Sequence, residues 1–445
     1  MVAKMVAKKA VPVVVIIQPN LLVLIVALLA AMAVKKVAVM VVRILLSLLV
    51  QDVVIVALVP ALLPVPMIVQ KVAWILAVVH VFQPVWDSAR VLVCLDVKRD
   101  AGVGAGVTID TNVEVCIRYL LKMKGIKKKE VDWKSGMVKN ITFIVTKDCQ
   151  LACKYCYLVG KNSKEWMPWE VAKQAIDYVL EREEDFPEES VVWDFIGGEP
   201  FLEIDLIDKI CDYIKVEQFQ RDHHWFGAYR FSFSTNGINY HEEKVQQFIL
   251  KNKEHLSIGI TIDGTEMKHD LNRVYKASGR GSYKDVVRNI PLWLSQFPDA
   301  STKVTISSAD IPYIKESVLH LYALGIHEVN INCVFEDVWK AGDDRLFEEQ
   351  LLMLADAIID NGYYRDYSCS FFGEHLGKPL DCKLQNQNWC GAGMMLAVDA
   401  MGNFYPCTRF AQYSLRNKKA WIIGNIHDGI DKNKLRPFLT LDRCT

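Results

Sequence analysis

Residues 140–158 read NITFIVTKDCQLACKYCYL, and this stretch decides both the fold and the chemistry expected of the chain. The run Ile141–Val145 is rich in β-branched residues, which is typical of a buried strand. The residues that follow place Cys149, Cys153 and Cys156 in a CxxxCxxC pattern. We therefore expect a short strand that leads directly into a loop presenting three thiols.

Strand-like and helix-like segments alternate from Lys139 onward, which predicts an α/β fold with a parallel sheet. The expected strands are Ile141–Val145, Val191–Ile196, Arg230–Ser234, Ser257–Ile262, Lys303–Ser307 and Glu328–Val334. The expected helices are Trp169–Arg182, Ile204–Ile214, Val245–Lys251, Tyr283–Trp293, Ile314–Leu324 and Leu346–Ile359. Six such units predict a partial (β/α)6 barrel of the TIM type, whose chemistry collects at the carboxyl ends of the strands.

The second expected strand ends in Gly197, Gly198, Glu199 and Pro200. Two glycines allow a backbone to approach a ligand closely, and a carboxylate can accept hydrogen bonds from an ammonium group. A GGEP sequence by itself is more often a plain turn. Its position at the same end of the barrel as the cysteine loop favours a binding role.

Three thiolates on one short loop can hold three irons of a [4Fe–4S] cluster and leave the fourth iron open for another ligand. A structural zinc site normally has a fourth protein ligand and paired CxxC spacing, which this loop lacks. A zinc or redox-thiol site, or three unrelated buried cysteines, remain as alternatives.

Together these motifs resemble the radical S-adenosylmethionine (SAM) enzymes, in the branch with a C-terminal auxiliary-cluster domain of the SPASM type. The resemblance covers residue 139 to the end of the chain. It implies that Cys149, Cys153 and Cys156 bind the catalytic [4Fe–4S] cluster, to which SAM is chelated. It also implies a set of residues that contact SAM: Gly197, Gly198 and Glu199 at its amine, Thr261, and Arg273 at its carboxylate.

The C-terminal part carries a second cysteine pattern, C-x11-G-x4-C, formed by Cys390, Gly402 and Cys407. In the SPASM-type domains that it resembles, a β-hairpin turned at the glycine brings two cysteines onto one auxiliary [4Fe–4S] cluster. Cys382 is a possible third ligand, or else a free surface cysteine. The family pattern continues with further cysteines, so the end of the chain just after Cys444 is interpreted as a truncation that leaves the auxiliary site incomplete.

Among such enzymes, the sequence most resembles the radical SAM peptide maturases of the CXXX-repeat target family. The resemblance implies reductive cleavage of SAM to a 5′-deoxyadenosyl radical, which modifies a ribosomally made, Cys-containing peptide by thioether cross-linking. The implied partners are a small Cys-rich precursor peptide and an electron donor such as flavodoxin or ferredoxin.

Other functions remain open at this stage. One is an anaerobic sulfatase-type or quinohemoprotein-type maturase, and the other is an inactive truncated remnant. Sulfatase-type maturases carry an acidic residue directly after the cysteine that corresponds to Cys407, whereas this chain has Thr408.

The composition narrows the class of protein further. With 52 basic and 52 acidic residues in 445, the chain lacks the excess positive charge of a domain that binds nucleic acid through phosphates. Its 12 cysteines are not spaced as in a secreted disulfide scaffold. Cluster or catalytic thiols in a reducing compartment fit better, so we expect a cytoplasmic protein.

The first hundred residues differ sharply from the rest. Residues 1–101 contain no Gly, Glu, Thr or Tyr, and include the apolar runs Leu21–Val34 and Val53–Val69. Neither run is convincing as a membrane span. Residues 1–103 are interpreted as a mistranslated, membrane-associated or leader-binding segment. We expect a lead-in over 104–138, the barrel over 139–362 and the auxiliary-cluster domain over 363–445.

Overall fold

The computed structural model describes residues 131–440 except 132, 134–137, 162, 337, 374–390 and 415–417, together with three short strands nearer the amino terminus. These strands, β1 (Ile55–Val56), β2 (Val93–Lys98) and β3 (Gly106–Asp110), form one sheet in which β2 pairs antiparallel with β3. The boundary expected at residue 103 therefore falls between two strands that pair with each other. The apolar run over residues 21–34, and all but two residues of the second run, lie outside the described residues.

The chain divides into two compact units. One comprises Met1–Lys129 with Cys211–His223, and the other comprises Glu130–Ile210 with His224–Thr445. The domain boundaries expected at residues 139 and 363 both fall within the second unit.

Six parallel strands form the core of the second unit in chain order, which confirms the predicted partial barrel. They are β4 (Val138–Thr146), β5 (Ser190–Gly197), β6 (Tyr229–Thr235), β7 (Leu256–Ile260), β8 (Ser301–Ile306) and β9 (Glu328–Cys333). Parallel neighbours of this kind require crossover connections, and helices supply them.

Each of the six predicted helices is present, although one of them is divided. The helices are α1 (Trp169–Leu180), α2 (Ile204–Gln220), α3 (Glu243–Asn252), α4 (Glu266–Asn272), α5 (Tyr283–Val287), α6 (Ile290–Gln296), α7 (Ile314–Ala323), α8 (Asp343–Asp360) and α9 (Lys432–Thr440). Of these described helices, none is long and apolar enough to cross a bilayer.

The barrel is continuous from β7 to β8 only through a narrow junction. Thr261 and Lys303 form an isolated parallel bridge just beyond the end of β7. The Thr302 hydroxyl reinforces it by donating to the Ile260 carbonyl at 2.7 Å and accepting from the Ile262 amide at 3.3 Å. This junction carries the sheet around to β8 and β9.

Further strands extend both sides of the barrel. A two-residue strand, β10 (Ser368–Cys369), pairs parallel with β9, and β11 (Met395–Val398) pairs parallel with β4. The sheet then continues antiparallel through β12 (Asn403–Tyr405), β13 (Gly424–Asn425) and β14 (Gly429–Ile430). Gly402 adopts a φ of +76° at the turn between β11 and β12, so the predicted hairpin is confirmed.

Burial alternates along the barrel strands and distinguishes their two faces. In β6 every second residue is buried, from Tyr229 to Thr235, and the intervening residues are half-buried. Aromatic rings dominate the buried face, where Phe195 stacks on Phe143 and Phe233 with ring centroids 5.8 and 5.1 Å apart. The opposite face is polar, and Lys303 of β8 reaches across β7 to the Ser234 hydroxyl of β6 at 2.7 Å. That reach shows the polar face to be the concave side of the barrel.

Candidate active site

The three cysteines of the CxxxCxxC motif lie on one loop at the carboxyl end of β4. Cys149 is buried, whereas Cys153 and Cys156 are half-buried. The loop is folded on itself, since the Leu151 amide donates to the Cys149 sulfur at 3.4 Å and the Cys156 amide donates to the Cys153 carbonyl at 3.1 Å. Three thiols are therefore presented from a single short segment.

The segment after α4 runs alongside this loop and holds it by backbone hydrogen bonds. Leu151 and Tyr275 form an antiparallel bridge at the centre of the pairing. Three bonds join the two segments: Ala152 N to Val274 O at 2.8 Å, Lys154 N to Asn272 O at 3.1 Å, and Lys276 N to Gln150 O at 3.0 Å. Arg273 is thereby placed beside the cysteines by the same pairing that shapes their loop.

The GGEP motif also contacts the start of the cysteine loop. The Gly198 amide donates to the Thr146 carbonyl at 3.0 Å, and the Glu199 amide donates to the Asp148 carbonyl at 2.8 Å. A Cβ on Gly197 would overlap the Thr146 carbonyl, and one on Gly198 would overlap that of Asp148. Both glycines are thus required for two loops of this chain to approach each other, a reason the sequence did not supply.

The Glu199 side chain joins the ends of β5 and β6. Its carboxylate is only 1% exposed and accepts hydrogen bonds from the Thr235 hydroxyl at 2.6 Å, the Asn236 amide at 2.7 Å and the Phe201 amide at 3.2 Å. Burial raises the pKa of Glu199, while these three donors oppose that shift. A carboxylate can accept about four hydrogen bonds, so its Oε2 atom, with one donor, keeps capacity for another.

Arg273 is a buried cation with an incomplete set of partners. It is 6% exposed and donates from Nη1 to the Tyr155 hydroxyl at 2.9 Å. That hydroxyl in turn donates to Asp263 Oδ2 at 2.6 Å. The Nε atom of Arg273 is buried without a hydrogen-bond partner among the described residues. Such an orphaned donor fits an anionic ligand beside the cysteine loop.

A buried ionic network lies behind Arg273. Lys268, 1% exposed, sits 3.4 Å from Asp263 Oδ2 and 3.5 Å from Asp310 Oδ1, and donates to the Thr305 carbonyl at 2.6 Å. Burial alone would raise the pKa of Asp263, but Lys268 and Arg273 hold it below its usual range. The network therefore keeps the Asp263 carboxylate ionised inside the protein and holds in place the residues that lie behind Arg273.

Thr261, the remaining predicted SAM contact, lies at the same rim of the barrel. Its amide donates to the Thr235 carbonyl at 2.9 Å, and Thr235 also holds Glu199. Asn236, which follows Thr235, donates from its side chain to the Cys149 sulfur at 3.9 Å and to Gln150 Oε1 at 3.0 Å. The structure thus brings the ends of β4, β5, β6 and β7 together around Cys149.

The C-terminal segment packs directly against the cysteine loop. Tyr405, Ala411 and Tyr413 form a buried cluster with Ile144, Leu158 and Ala397, and Cys156 and Tyr157 pack on it. Of the predicted auxiliary ligands, Cys407 is buried just after β12. Cys382 and Cys390 lie outside the described residues.

The donor set suits an iron–sulfur cluster chemically. Burial, and to a smaller extent the negative charge of Glu199, raises the pKa of Cys149 to about 11. Burial also raises the pKa of Cys153. Such thiols hold their protons in the absence of a metal, so a bound metal would have to displace those protons. Cysteine thiolates are the usual protein ligands of [4Fe–4S] clusters. The three cysteines and the orphaned Arg273 Nε therefore fit a cluster with an anionic ligand beside it.

Residues 143–309 match the model of the Radical SAM superfamily. This range begins within β4 and ends after β8, and it includes the cysteine loop, the GGEP motif, Thr261 and Arg273. Residues 143–309 therefore form a domain similar to the Radical SAM superfamily.

Two relatives among curated proteins extend the match. An uncharacterized protein of Methanocaldococcus jannaschii is 30% identical over 198 residues, which is 44% of this chain and 62% of the relative. The serine-type anaerobic sulfatase-maturating enzyme of Bacteroides thetaiotaomicron is 22% identical over 300 residues, covering 60% of this chain and 69% of that enzyme. The chain thus spans about three fifths of the first of these relatives.

A solved structure shares the fold. Native anSMEcpe with bound AdoMet and Cp18Cys peptide superposes with a TM-score of 0.53 at 22% identity, covering 68% of this chain and 82% of that one. At this identity the likeness concerns the fold, and it agrees with the partial barrel described above.

Several site residues could not be assigned from the sequence. Asn236 and Asp263 each follow a predicted strand, which was the available signal, but their contacts with Cys149 and Tyr155 depend on tertiary packing. Lys268 gave no signal at all, because a lysine on a short helix is ordinarily exposed. Its burial becomes understandable only with Asp263 and Asp310 beside it.

Proposed function

We propose that this chain is a radical SAM maturase that modifies a Cys-containing peptide, with thioether cross-linking as the favoured outcome. Cys149, Cys153 and Cys156 hold a [4Fe–4S] cluster, and SAM binds beside it. A reduced cluster held by these residues would supply one electron to SAM, which then splits into methionine and a 5′-deoxyadenosyl radical that takes a hydrogen atom from the substrate.

The observation that carries this proposal is that the ends of β5 and β6 and the segment after α4 all contact the cysteine loop that follows β4. The GGEP backbone, Asn236 and the segment around Val274 each hydrogen-bond to that loop or to its sulfur. Such a clamp orients the thiols without using them as core residues, because two of the three remain half-buried.

In this proposal the SAM contacts are made by the residues around the loop. The Arg273 Nε, which has no partner in the described part of the chain, binds the SAM carboxylate. Glu199 receives the amine at the free capacity of Oε2, and its three existing donors keep the carboxylate in place. Thr261 at the end of β7 contributes the remaining polar contact.

A peptide as substrate is supported by the kind of proteins that this chain is similar to. One relative is named as a sulfatase-maturating enzyme, and the superposed anSMEcpe structure contains a peptide. The polar concave face of the barrel is open enough to leave Lys303 exposed, so an extended peptide can reach it. Cys407, with Cys390 and Cys382, is proposed to hold an auxiliary [4Fe–4S] cluster, and a flavodoxin or ferredoxin would supply electrons.

A sulfatase-type maturase is the second candidate, because the Bacteroides enzyme matches over 69% of its own length. The residue after Cys407 argues against it, since Thr408 cannot take up a proton as a carboxylate does. Mass spectrometry of treated peptides distinguishes the two activities. A thioether product has two residues linked with loss of hydrogen, whereas the product of a sulfatase-type maturase has one side chain oxidised to an aldehyde.

The SAM-binding assignment is tested with Arg273→Lys in protein reconstituted anaerobically with iron and sulfide. A lysine keeps the charge but loses the planar donor fork, so we expect about tenfold weaker SAM binding with unchanged iron content. Arg280→Lys is the matched control, because Arg280 lies in the same segment, is exposed and pairs with Asp285 at 2.6 Å. Equal SAM affinity in the parent and Arg273→Lys would contradict the assignment.

A further inference from the structure

The Asp194 carboxylate lies on the concave face of the barrel, and no cation of the described residues is bonded directly to it. Asp194 of β5 lies level with Thr142 of β4 and Ser232 of β6 in the strand register. Thr142 donates to Asp194 Oδ2 at 3.3 Å, and Ser232 also hydrogen-bonds to this carboxylate. The side chain is half-buried, and Lys303, the basic group within electrostatic reach, is exposed and bonded to Ser234.

Two tyrosines, one from the cysteine loop and one from the C-terminal segment, pack with Ile144 and Ile196, and Ile196 lies two residues beyond Asp194 on the same face of β5. Tyr157 follows Cys156 and hydrogen-bonds to Thr408, while Tyr413 belongs to the cluster that packs on Cys156. The Tyr413 backbone is fixed, because its carbonyl accepts from the Val159 amide at 2.7 Å and from the Gly160 amide at 3.1 Å.

The Tyr413 hydroxyl is an unexplained polar group at this place. The residue is 4% exposed, and its hydroxyl has no hydrogen-bond partner within the described part of the chain. Leaving such a group unpaired costs about 1–3 kcal/mol, so a phenylalanine would suit a purely packing role better. The orphaned hydroxyl therefore points to a ligand that completes it.

We propose that Asp194, Tyr157 and Tyr413 form the pocket that receives the reacting side chain of the peptide, and that this side chain is a hydrogen-bond donor, a thiol or hydroxyl. The proposal rests on the function proposed above and deepens it by naming the recognised group. The Asp194 carboxylate accepts the donor's hydrogen, and the Tyr413 hydroxyl donates to its sulfur or oxygen. Proximity to Cys156 places this side chain next to the cluster loop.

The chemistry of the pocket explains why the carboxylate remains able to bind. Two hydroxyl donors leave part of the capacity of a carboxylate unused. Burial raises the pKa of Asp194 while Lys303 and the two hydroxyls oppose that shift, so the group is less strongly solvated than a surface acid. A donor presented to it gains a hydrogen bond to a partly desolvated acceptor, which is stronger than one made in water.

The test uses reconstituted, SAM-loaded protein and three synthetic peptides that differ only in having Cys, Ser or Ala at one central position. We expect the parent to bind the Cys and Ser peptides about tenfold more tightly than the Ala peptide. In Asp194→Asn this preference should fall to within about twofold. Asp205→Asn is the control, because Asp205 is an exposed acid on α2 that pairs with Lys244.

The proposed pocket would be contradicted if the parent bound the three peptides equally, or if Asp194→Asn kept the full preference for the Cys and Ser peptides over the Ala peptide. Iron content and peptide-independent SAM cleavage should be unchanged in the control Asp205→Asn. If the parent itself loads a cluster and fails to cleave SAM, the proposed function has failed rather than the pocket.

A second pair of variants guards against misfolding. Tyr413→Phe should weaken binding of the Cys peptide. It should not lower the melting temperature, because the Tyr413 hydroxyl that it removes has no hydrogen-bond partner among the described residues. Tyr405→Phe is the matched control in the same cluster, because the Tyr405 hydroxyl donates to Asp399 Oδ2 at 2.7 Å. It should lower the melting temperature by about 2–4 °C and leave peptide preference intact. The reverse pattern would assign Tyr413 a structural role and contradict the proposal.

Discussion

At the scale of single residues, Glu199 joins the ends of two strands and is also a proposed contact of SAM. Its buried carboxylate accepts hydrogen bonds from Thr235, Asn236 and Phe201. A glutamine amide in its place would point its NH2 group at one of these hydrogen-bond donors. We predict that Glu199→Gln lowers the free energy of unfolding by about 1–3 kcal/mol. Denaturant unfolding of the two proteins under the same conditions measures the difference.

Glu203→Gln is the matched control for this prediction. Glu203 lies on the same short 3-10 turn, Pro200–Glu203, but is only half-buried. We expect its substitution to change stability by less than about 0.5 kcal/mol. An equal loss of unfolding free energy in both variants would contradict a specific stabilising role for the three hydrogen bonds of Glu199.

His269 makes the stability of the site depend on pH. Burial, followed by Arg273, lowers the pKa of this imidazole to about 3, and it accepts from the Asp263 amide at 3.2 Å. Below the ordinary value of 6.5 the unfolded chain takes up a proton that the folded chain refuses. A depressed histidine pKa therefore costs stability as pH falls from 6.5, by up to about 1.4 kcal/mol per pH unit.

The measurement compares the free energy of unfolding of the parent and His269→Gln between about pH 7.5 and pH 5. The parent should lose more stability than the variant over that range, because glutamine does not titrate. Parallel curves would mean that the imidazole ionises equally easily in the folded and unfolded chain.

At the scale of elements, the sequence predicted the barrel well because its strands and helices are local patterns. β5 and β9 lie within two residues of their expected bounds. The segment Tyr283–Trp293 was wrong as a single helix: it forms α5 and α6, with Pro291 near the start of α6. Proline is tolerated in the first turn of a helix but not in its interior, so the chain begins a new helix there.

The contacts between loops were beyond what the sequence could predict. Tyr155 and Arg273 meet across 118 positions of sequence, and Asp263 meets Tyr155 across 108. Sequence patterns report which face of an element is apolar, but they do not report which strand ends face each other closely enough for a hydrogen bond. The motif residues could be assigned by resemblance, whereas Asn236, Lys268 and Asp194 required the fold.

The contact between the GGEP loop and the cysteine loop yields a prediction for an element pair. A Cβ at residue 198 would overlap the Asp148 carbonyl and lie 2.9 Å from the Cβ of Cys149. We predict that Gly198→Ala costs about 1–3 kcal/mol of stability through overpacking and at least halves iron incorporation. Iron and sulfide assays after anaerobic reconstitution, together with denaturant unfolding, measure both effects.

Gly373→Ala is the control, since Gly373 has an ordinary φ of −62° and a new Cβ would meet only the Ser370 carbonyl at 3.5 Å. Its iron content should equal that of the parent. Full iron loading in Gly198→Ala would show that the cysteine loop can be displaced without losing the cluster site.

At the scale of the whole molecule, the barrel and the C-terminal segment both contact the cysteine loop. The barrel supplies the strand ends that hold Cys149, and the C-terminal segment packs Tyr413 against Cys156. The proposed peptide pocket and the proposed cluster site therefore lie within one unit, Glu130–Ile210 with His224–Thr445. In the proposed function, this arrangement presents a peptide side chain on the concave face beside the cofactor at the rim.

The central claim is that the loop from Cys149 to Cys156 holds a cluster that cleaves SAM, and the most direct test is formation of 5′-deoxyadenosine under anaerobic, reducing conditions. The parent should bind about four or more irons per chain and produce 5′-deoxyadenosine. A variant with alanine at Cys149, Cys153 and Cys156 should lose about four irons and all of this product. Cys333→Ala, outside the loop, should behave as the parent. Reductive cleavage of SAM by the triple variant would contradict the account.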